Sequence, residues 1–295
     1  MTGEPNRTVI LGANGNVGTL LLDALTGRDA PVAGSLRPDR PVPSSSPNIT
    51  WLKVDLDDPS TLRAGLRDSD TVIWTPPVTL APRNLQALES AAPRRVLFIS
   101  SASVHTRLRS EGAQAKRDAE AAIRDSKLRH TIIRPTMIYG NARDRNLTRV
   151  LRYLRRFPLF PLFGDGSGLM QPIHIEDLVD AILKAVDAPA AEGKTYDIGG
   201  AAPLSYRRLI KAAARAQGRR VYCLPIPIGL ATAMARLANR VGVHIVREEQ
   251  IRRTVEDKAV DNGPIIADLG VKPRGFVQGF AEQVNRVKDP SAPAT

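Results

Sequence analysis

The sequence predicts an α/β fold in which a doubly wound parallel sheet carries a smaller C-terminal cap. Short apolar runs rich in β-branched residues alternate with segments of helical periodicity along the first half of the chain. These runs are apolar throughout, which is typical of parallel strands that are buried on both faces. A glycine-rich turn between the first predicted strand and the first predicted helix completes the pattern.

Strands and helices are predicted to alternate over the first half of the chain, with a loop in place of a helix between the second and third strands. The strands cover residues 8–11, 32–36, 49–54, 71–74, 96–99 and 131–133, and the helices cover residues 17–25, 59–66, 84–91 and 115–125. Asp58 and Pro59 favour the start of the second helix, because Asp caps free N–H groups and Pro suits a first turn. The Pro- and Ser-rich stretch 38–47 predicts a loop.

Beyond Gly140 the alternation loosens, which predicts the cap. Helices are predicted at 145–157, 177–186, 206–217 and 228–241, and one more strand at 196–198. We therefore expect a first domain over residues 1–165, to which residues 166–200 partly return. A smaller C-terminal cap, which is expected to bind substrate against the first domain, would cover residues 201–295.

Composition excludes several classes of protein. The chain is 42% hydrophobic and 24% charged, unlike a fibrous or disordered protein. It contains no run of about 20 apolar residues, which a membrane-spanning helix requires. The N-terminal residues lack the basic and apolar regions of a signal peptide, and Cys223, the single cysteine, has no disulfide partner within the chain. A cytoplasmic location is therefore expected.

The net charge of +12 favours anionic partners. One predicted helix carries a stripe of arginines on the side opposite its apolar face, formed by Arg145, Arg149, Arg152 and Arg156. This stripe is interpreted as a solvated face, as a contact for a phosphate-bearing substrate, or as a surface for acidic lipids. A small-molecule partner is expected, a membrane surface is a weaker alternative, and nucleic acid is disfavoured. The oligomeric state stays open.

A glycine motif carries the main functional prediction. Gly12, Gly15 and Gly18 follow the first strand and open the first helix. The first glycine permits a tight turn, the second lets backbone N–H groups approach a diphosphate, and the third brings helix against strand. The motif predicts a Rossmann dinucleotide-binding domain whose cofactor-binding residues include Gly12, Asn14, Gly15, Asn16, Val17 and Gly18.

The end of the second strand indicates which dinucleotide is bound. An NAD-selective site usually places Asp or Glu there to bind the ribose hydroxyls. This chain has Ser35, Leu36 and Arg37, with Arg40 close by. A guanidinium can pair with the 2′-phosphate that a carboxylate would repel, so Arg37 favours NADP(H) over NAD(H). The alternative is that Arg37 is one more solvated arginine of a basic protein.

Further motifs follow in a characteristic order: Asp55–Asp57, Ser100–Val104, Lys116 with Glu120, Arg134–Pro135, Tyr139–Gly140, Gln171–His174, Gly199–Gly200 and Asp268–Gly270. In this order and spacing the chain resembles the short-chain dehydrogenase/reductase superfamily. It is most similar to the atypical and extended members, which include NAD-dependent epimerase/dehydratase proteins, NmrA-like regulators and relatives of a respiratory complex I accessory subunit. The resemblance implies that Asp55 and Leu56 bind the adenine, that Thr75 lies along the cofactor and that Pro135 borders the nicotinamide.

The same resemblance implies a catalytic Ser, Tyr and Lys, and here the sequence departs from it. Ser101 and Lys116 match the serine and the lysine, and Lys116 is also expected to contact the cofactor. Gly112 stands where the tyrosine would be and has no proton to give. His105 and Tyr139 are the candidate substitutes, although a loop histidine and a packing tyrosine are the ordinary interpretations of these two residues.

The sequence thus predicts an NADP(H)-binding oxidoreductase or epimerase acting on a carbonyl or alcohol substrate such as a nucleotide sugar. The alternative is a non-catalytic NADP(H)-binding sensor or scaffold, for which the missing tyrosine argues. No metal site is predicted, because the four histidines lack metal-ligand spacing. His174 is a further candidate for lining the substrate cleft.

Overall fold

A computed structural model describes residues 6–28, 30–43, 49–68, 70–141, 146–233 and 255–288. Its strands are β1 Thr8–Leu11, β2 Val32–Leu36, β3 Ile49–Lys53, β4 Thr71–Trp74, β5 Arg95–Ile99, β6 His130–Pro135, β7 Ile138–Tyr139, β8 Leu159–Phe163, β9 Leu169–Met170, β10 Ile173–His174, β11 Thr195–Ile198, β12 Leu204–Ser205 and β13 Tyr222–Ile226. Seven of them form one sheet in the order β11-β6-β5-β4-β1-β2-β3. Every neighbouring pair in this sheet is parallel, which confirms the predicted fold class.

Nine helices have defined limits in the described part of the chain: α1 Asn16–Thr26, α2 Pro59–Gly65, α3 Leu85–Ala91, α4 Glu111–Asp125, α5 Asn146–Arg156, α6 Ile175–Asp187, α7 Tyr206–Ala216, α8 Gly263–Leu269 and α9 Phe276–Lys288. Asp58 caps α2 as predicted, since its side chain accepts a hydrogen bond from the Ser60 N–H. Helix α4 begins four residues before its predicted start at residue 115, because Ser110 caps it. The helix predicted at 228–241 extends into residues outside the described ranges, and Arg145 lies outside them too.

Apolar clusters cover both faces of the sheet, which explains why its strands are apolar throughout. On one face α1, α6 and α8 pack against the sheet and bury Leu21, Ile182 and Ile265. On the other face α2, α3 and α4 bury Leu62, Leu88 and Ile123. The inner strands therefore have no solvated side, as a doubly wound sheet requires, whereas the edge strand β3 exposes Thr50 and Lys53.

A third cluster forms a smaller layer beyond the sheet. Helices α5, α7 and α9 bury Leu151, Leu209 and Phe280 against one another, and the paired strands β8 and β13 lie on this layer. Helix α8 packs instead on β11 and α6, with Ile265 in the main core. Residues 201–295 thus contribute to both layers, and the division predicted at residue 200 remains a prediction. None of the described helices combines the length and the apolar character needed to cross a membrane.

An ion-pair network joins the small layer to the sheet. The Arg274 guanidinium donates to Asp177 at 2.8 Å and to Glu282 at 2.6 Å, and lies 3.2 Å from Glu176. Burial opposes a charged guanidinium, but these carboxylates outweigh it and raise the pKa of Arg274. His174 lies beside Glu176 and Glu282 in a group whose ligand-type atoms fall within 4.8 Å of one another. Since Arg274 already pairs with both Glu176 and Glu282, the group is interpreted as the ion-pair network that holds α9 against α6.

Candidate functional site

The glycine turn takes the conformation that a dinucleotide-binding loop requires. Gly12 has a φ of +76°, and a Cβ atom there would lie 2.7 Å from the Thr75 hydroxyl. The Gly12 N–H donates to the Ser35 hydroxyl at 3.0 Å, and the Gly15 N–H donates to the Gly12 carbonyl at 2.9 Å. Only glycine fits position 12, because a side chain there would strain the backbone and clash with Thr75 and Pro76, directly after β4.

Helix α1 begins at Asn16, directly after this turn, and its N-terminus can accept an anion. Gly15 occupies the N-cap, and within the described residues no side chain caps the free N–H groups of the first turn. That turn contains no acidic residue, so nothing on the helix itself competes with a bound anion. The free N–H groups and the helix dipole together favour a negatively charged group at this end, as the sequence predicted for a diphosphate.

Gly18 packs α1 onto the turn, and this contact gives a testable prediction. A Cβ atom at position 18 would collide with the Gly12 carbonyl oxygen and lie 2.9 Å from the Ala13 Cα. We expect Gly18→Ala to lower stability by about 1–3 kcal/mol, measured by urea unfolding, and to weaken dinucleotide binding because the turn must move. Gly27→Ala is the matched control on the same helix, since the nearest atom to its Cβ is 4.0 Å away. Equal stability of the two variants would contradict this role of Gly18.

A cavity of about 570 Å³, here called the cofactor cavity, opens at the turn. Its lining includes seven of the residues that were predicted to bind cofactor, namely Gly12, Asn14, Gly15, Arg37, Asp55, Leu56 and Thr75. Sequence reasoning did not assign Ser35, Asp57 or Arg83 to this site, although all three line it. The cavity lies at the carboxyl ends of β1, β2 and β4, where the strand order reverses, which is where open α/β sheets bind ligands.

Positive charge collects at one side of the cofactor cavity. Arg37, Arg40 and Arg83 all line it, and Arg83 is paired with Asp57 at 2.6 Å. In the part of the chain that the structure describes, neither Arg37 nor Arg40 has an ion-pair partner. Two guanidinium groups thus remain available for an anionic ligand beside the end of β2.

A second cavity of about 470 Å³, here called the substrate cavity, lies at the carboxyl ends of the neighbouring strands β5 and β6. Ser101, His105 and Pro135, which the sequence singled out, all line it. Ser101 caps the short 3₁₀ helix at Ala102–His105, and its hydroxyl accepts a hydrogen bond from the Ser103 N–H at 3.2 Å. The structure therefore brings the predicted serine, histidine and proline together around one space.

His105 is held by a residue that the sequence analysis missed. Its Nε2 atom lies 2.8 Å from a carboxylate oxygen of Asp197, at the end of β11. The other oxygen of Asp197 lies 3.8 Å from Arg134, which is paired with the buried Glu120. Burial acts to lower the pKa of Arg134, but Glu120 and Asp197 outweigh it and raise that pKa. A polar residue at the carboxyl end of a parallel strand was the available signal for Asp197.

The outer wall of the substrate cavity comes from residues 256–260. Glu256 fastens this wall to the loop that carries His105, since its carboxylate accepts hydrogen bonds from the Thr106 hydroxyl at 2.6 Å and the Arg107 N–H at 2.7 Å. On the other side the Val260 N–H donates to the Gln171 side chain at 2.9 Å. No sequence signal marked Glu256, because it contacts residues about half the chain away.

Lys116 and Tyr139 are absent from the described lining of both cavities. The Lys116 ammonium donates to the Gly112 carbonyl at 3.2 Å on its own helix. Among the described atoms, a Cβ at Gly112 would meet nothing within 4 Å, so the position of the expected tyrosine is open space. Asn16, Val17 and Gly18 belong to α1 behind the cofactor cavity.

Tyr139 lies in the core of the small layer, whereas a catalytic tyrosine would have to reach one of the two cavities. Only 1% of it is exposed, and its ring packs against His174, Phe276 and Phe280 in the core of the small layer. Burial, reinforced by the charge of Asp177, raises the pKa of its phenol above the ordinary range. His174 is also fully buried, and it caps α6 instead of lining the cleft. Packing is therefore the interpretation that the structure supports for both residues.

Two family models match the chain. Residues 12–153 match an NAD(P)H-binding family, and residues 113–199 match the NAD dependent epimerase/dehydratase family. Together these matches run from the glycine turn through β11 and its Gly199 neighbour. They include the cofactor cavity and the inner part of the substrate cavity.

Curated relatives agree with these families. The mitochondrial NADH dehydrogenase [ubiquinone] 1 alpha subcomplex subunit 9 of Arabidopsis thaliana is 28% identical over 68% of this chain and 54% of its own length. The subunit of the same name from Mus musculus is 24% identical over 76% of this chain and 64% of its own length. UDP-glucose 4-epimerase of Vibrio cholerae is 25% identical over 39% of this chain and 35% of its own length. The chain thus spans less than two thirds of these relatives.

Solved structures share the fold over nearly the whole chain. A putative epimerase from Burkholderia cenocepacia superposes with a TM-score of 0.75 at 20% identity, covering 97% of this chain and 99% of that one. UDP-glucuronic acid 4-epimerase from Bacillus cereus in complex with NAD gives a TM-score of 0.73 at 16% identity, covering 97% and 100%. At these identities the likeness establishes the fold. The family matches over residues 12–199 and the curated relatives show that the chain is similar to NAD(P)-binding proteins of the short-chain dehydrogenase/reductase superfamily, and to its epimerase/dehydratase-like members in particular.

Proposed function

We propose that the chain is an NADP(H)-dependent oxidoreductase or epimerase that acts on a carbonyl or alcohol group of a small molecule. One observation carries the proposal. The cofactor cavity and the substrate cavity open side by side at the carboxyl ends of adjacent strands. The first is lined by the glycine turn and by arginines, which suit a dinucleotide, and the second by Ser101 and His105, which suit a substrate oxygen. This arrangement suits a reaction between a bound dinucleotide and a second ligand.

The residues of the cofactor cavity fit a nicotinamide dinucleotide. The uncapped N-terminus of α1 would hold the diphosphate, since Gly12, Asn14 and Gly15 open onto the cavity and the first turn of the helix has no acidic residue. Asp55 and Leu56 would hold the adenine, and Thr75 would lie along the dinucleotide. Pro135 would border the nicotinamide at the inner wall of the substrate cavity.

The 2′-phosphate of NADP(H) would bind Arg37 and Arg40, and this assignment gives a prediction. We expect Arg37→Ala to weaken NADPH binding by about 10- to 100-fold, because a charge-assisted hydrogen bond to phosphate is lost, and to leave NADH binding unchanged. Isothermal titration calorimetry measures both affinities. Arg63→Ala, which removes an exposed arginine of α2 outside the cavity, is the control. An equal loss for NADPH and NADH would contradict the 2′-phosphate site.

The chain's own residues would handle the proton and the substrate oxygen. The cofactor, when bound, supplies or accepts a hydride at its nicotinamide. Ser101 would donate a hydrogen bond to the reacting oxygen of the substrate. Gly112 stands at the position of the expected tyrosine, so another residue must transfer the proton. His105, oriented by Asp197, would give a proton to the reacting oxygen of the substrate or take one from it. The resemblance to the superfamily assigns Lys116 to the cofactor ribose, and its ammonium would have to leave the Gly112 carbonyl to take that role.

A nucleotide sugar is the proposed substrate class. Support comes from the relative named UDP-glucose 4-epimerase and from the neighbouring structure named UDP-glucuronic acid 4-epimerase. The substrate cavity offers hydroxyl, imidazole and amide groups from Ser101, His105 and Gln171, which suit a polar ring, and Met170 adds apolar contact.

The rival function is a non-catalytic NADP(H)-binding sensor or scaffold, and the open space at Gly112 favours it. A screen of carbonyl compounds and nucleotide sugars for NADPH- or NADP⁺-dependent turnover separates the two functions. Turnover that Ser101→Ala abolishes, with NADPH affinity kept, supports the enzyme. Tight NADPH binding without turnover of any substrate in the screen supports the sensor. Failure to bind either dinucleotide overturns both.

A further inference from the structure

An apolar surface on the small layer is left open to solvent. Strands β8 and β13 pair in register, with Leu159 beside Tyr222 and Pro161 beside Leu224. Because side chains alternate along a strand, these four residues share the outward side of the pair. Leu159, Tyr222 and Leu224 are 54%, 70% and 55% exposed. The alternate residues Phe160, Leu162 and Cys223 face the small layer's core.

The exposed surface continues onto the end of α5, which leads directly into β8. The rings of Tyr153 and Phe157 lie 5.0 Å apart and are both exposed. Tyr153 also meets the inward-facing Phe160 edge-on at 5.4 Å, which packs the end of α5 against the strand pair. Only Pro158 separates the exposed Phe157 from the exposed Leu159. We call this surface the apolar face, formed by Tyr153, Phe157, Leu159, Tyr222 and Leu224. Single exposed apolar residues are ordinary, but a contiguous group is typical of an interaction site.

Positive charge borders the apolar face on two sides. Exposed arginines run along the outer side of α5 and precede β13, and we call them the arginine border, formed by Arg149, Arg152, Arg156, Arg219 and Arg220. Residues 146–163 and 217–233, which carry the face and its border, contain no Asp or Glu. The surface is therefore apolar at its centre and cationic at its edge.

This chemistry distinguishes between three kinds of partner. A nucleic acid would pair with the arginines but offers little to the outward Leu159 and Leu224. A second copy related by a two-fold axis would bring two arginine borders into one interface that offers no carboxylate from the face or its border, which like charges oppose. A bilayer with acidic lipids suits both the apolar face and the arginine border. Its interfacial layer accepts leucine and tyrosine, and its headgroups attract arginine.

We propose that the apolar face docks the protein onto the surface of a membrane that contains anionic phospholipids. Leu159, Tyr222 and Leu224 enter the interfacial layer, and the arginine border pairs with the lipid phosphates. The protein lies on the bilayer without crossing it. The proposal is independent of the nucleotide site and holds whether or not the chain turns over a substrate.

Sedimentation with vesicles tests the proposal. The full-length protein is expected to co-sediment with phosphatidylcholine vesicles that contain phosphatidylserine, to stay in the supernatant with phosphatidylcholine alone, and to dissociate as salt rises. Arg149→Glu/Arg152→Glu is expected to lower the partition coefficient by at least about tenfold. Tyr222→Ser/Leu224→Ser is also expected to lower it, because apolar insertion is lost. All four side chains are exposed, so the variants should keep their fold and their NADPH affinity.

Matched controls lie outside the face and its border. Arg63→Glu removes an exposed arginine of α2, and Val277→Ser removes an exposed apolar side chain of α9. Both should bind vesicles as the unchanged protein does. Equal binding to both kinds of vesicle, binding to neither, or unchanged binding of the face variants would overturn the proposal. So would a dimer in sedimentation equilibrium that Tyr222→Ser/Leu224→Ser dissociates, because a second copy would then cover the face.

Discussion

Replacing His105 with Ala is expected to lower kcat by about 100-fold or more and to leave the affinity for NADPH unchanged. The two effects separate because His105 lines the substrate cavity and lies outside the described lining of the cofactor cavity. Proton transfer by a positioned side chain commonly contributes a factor of this size. Steady-state kinetics on a substrate found by the turnover screen, with calorimetry of NADPH, measures both quantities.

Asp197→Asn tests whether Asp197 positions that imidazole. The amide keeps the size of the side chain and removes the charge 2.8 Å from Nε2, so we expect kcat to fall while KM changes little. Arg107→Ala is the matched control, since its side chain is exposed on the same loop and lines neither cavity in the described structure. A His105→Ala protein with unchanged kcat would assign the proton transfer to another group.

Glu120→Gln is expected to cost about 3 kcal/mol of stability, because it leaves the largely buried Arg134 guanidinium without its closest counter-charge. The carboxylate of Glu120 is 1% exposed, accepts a hydrogen bond from Ser100 at 2.6 Å and is paired with Arg134 and Arg124. These contacts fasten α4 to the ends of β5 and β6. Urea unfolding measures the loss.

Glu111→Gln is the control for that experiment, since it removes an exposed carboxylate from the first turn of the same helix and should cost under about 1 kcal/mol. A Glu120→Gln protein as stable as the control would show that the ion pair contributes no net stability. Such a result would also remove Arg134 as a fixed support for Asp197.

The pH dependence of the free energy of unfolding also tests the ion pair of Glu120 with Arg134. Burial opposes the charged form of Glu120, but the hydrogen bonds from Arg134 and Ser100 outweigh burial and lower its pKa below the ordinary 4.5. The stabilisation is thus complete above pH 4.5 and is lost as the pH falls through the lower pKa of the folded state. Glu120→Gln should therefore flatten the acid side of the stability profile.

Local signals were enough to predict most of the sheet. The apolar run at Thr8–Leu11, the glycines that follow it and the cap at Asp58 each act over a few residues, and the structure has all three as predicted. Helix α4 shows the limit of periodicity. Its first turn is polar, so the apolar periodicity predicts a start at residue 115, four residues too late. Ser110 as an N-cap and Glu111 as a first-turn acid were the signals for the true start.

The small layer was harder to predict, because long-range pairing decides its structure. Strands β8 and β13 each contain a proline, which reads as a break in a strand, yet they pair across about 60 residues. Helices α8 and α9 were missed as well. The hydrogen-bond partners of His105 and Thr106 were missed for the same reason. Asp197 and Glu256 are distant in sequence and reach them only after the chain has folded.

The wall that Glu256 fastens has a consequence for how the protein is made. Every lining residue of the cofactor cavity lies between Gly12 and Arg83, whereas the substrate cavity needs residues as late as Val260. A ribosome therefore delivers the lining of the cofactor cavity before residues 256–260, and the substrate cavity gains its outer wall only after those residues have emerged. A product clipped before residue 256 would keep the lining of the cofactor cavity and lose the outer wall of the substrate cavity.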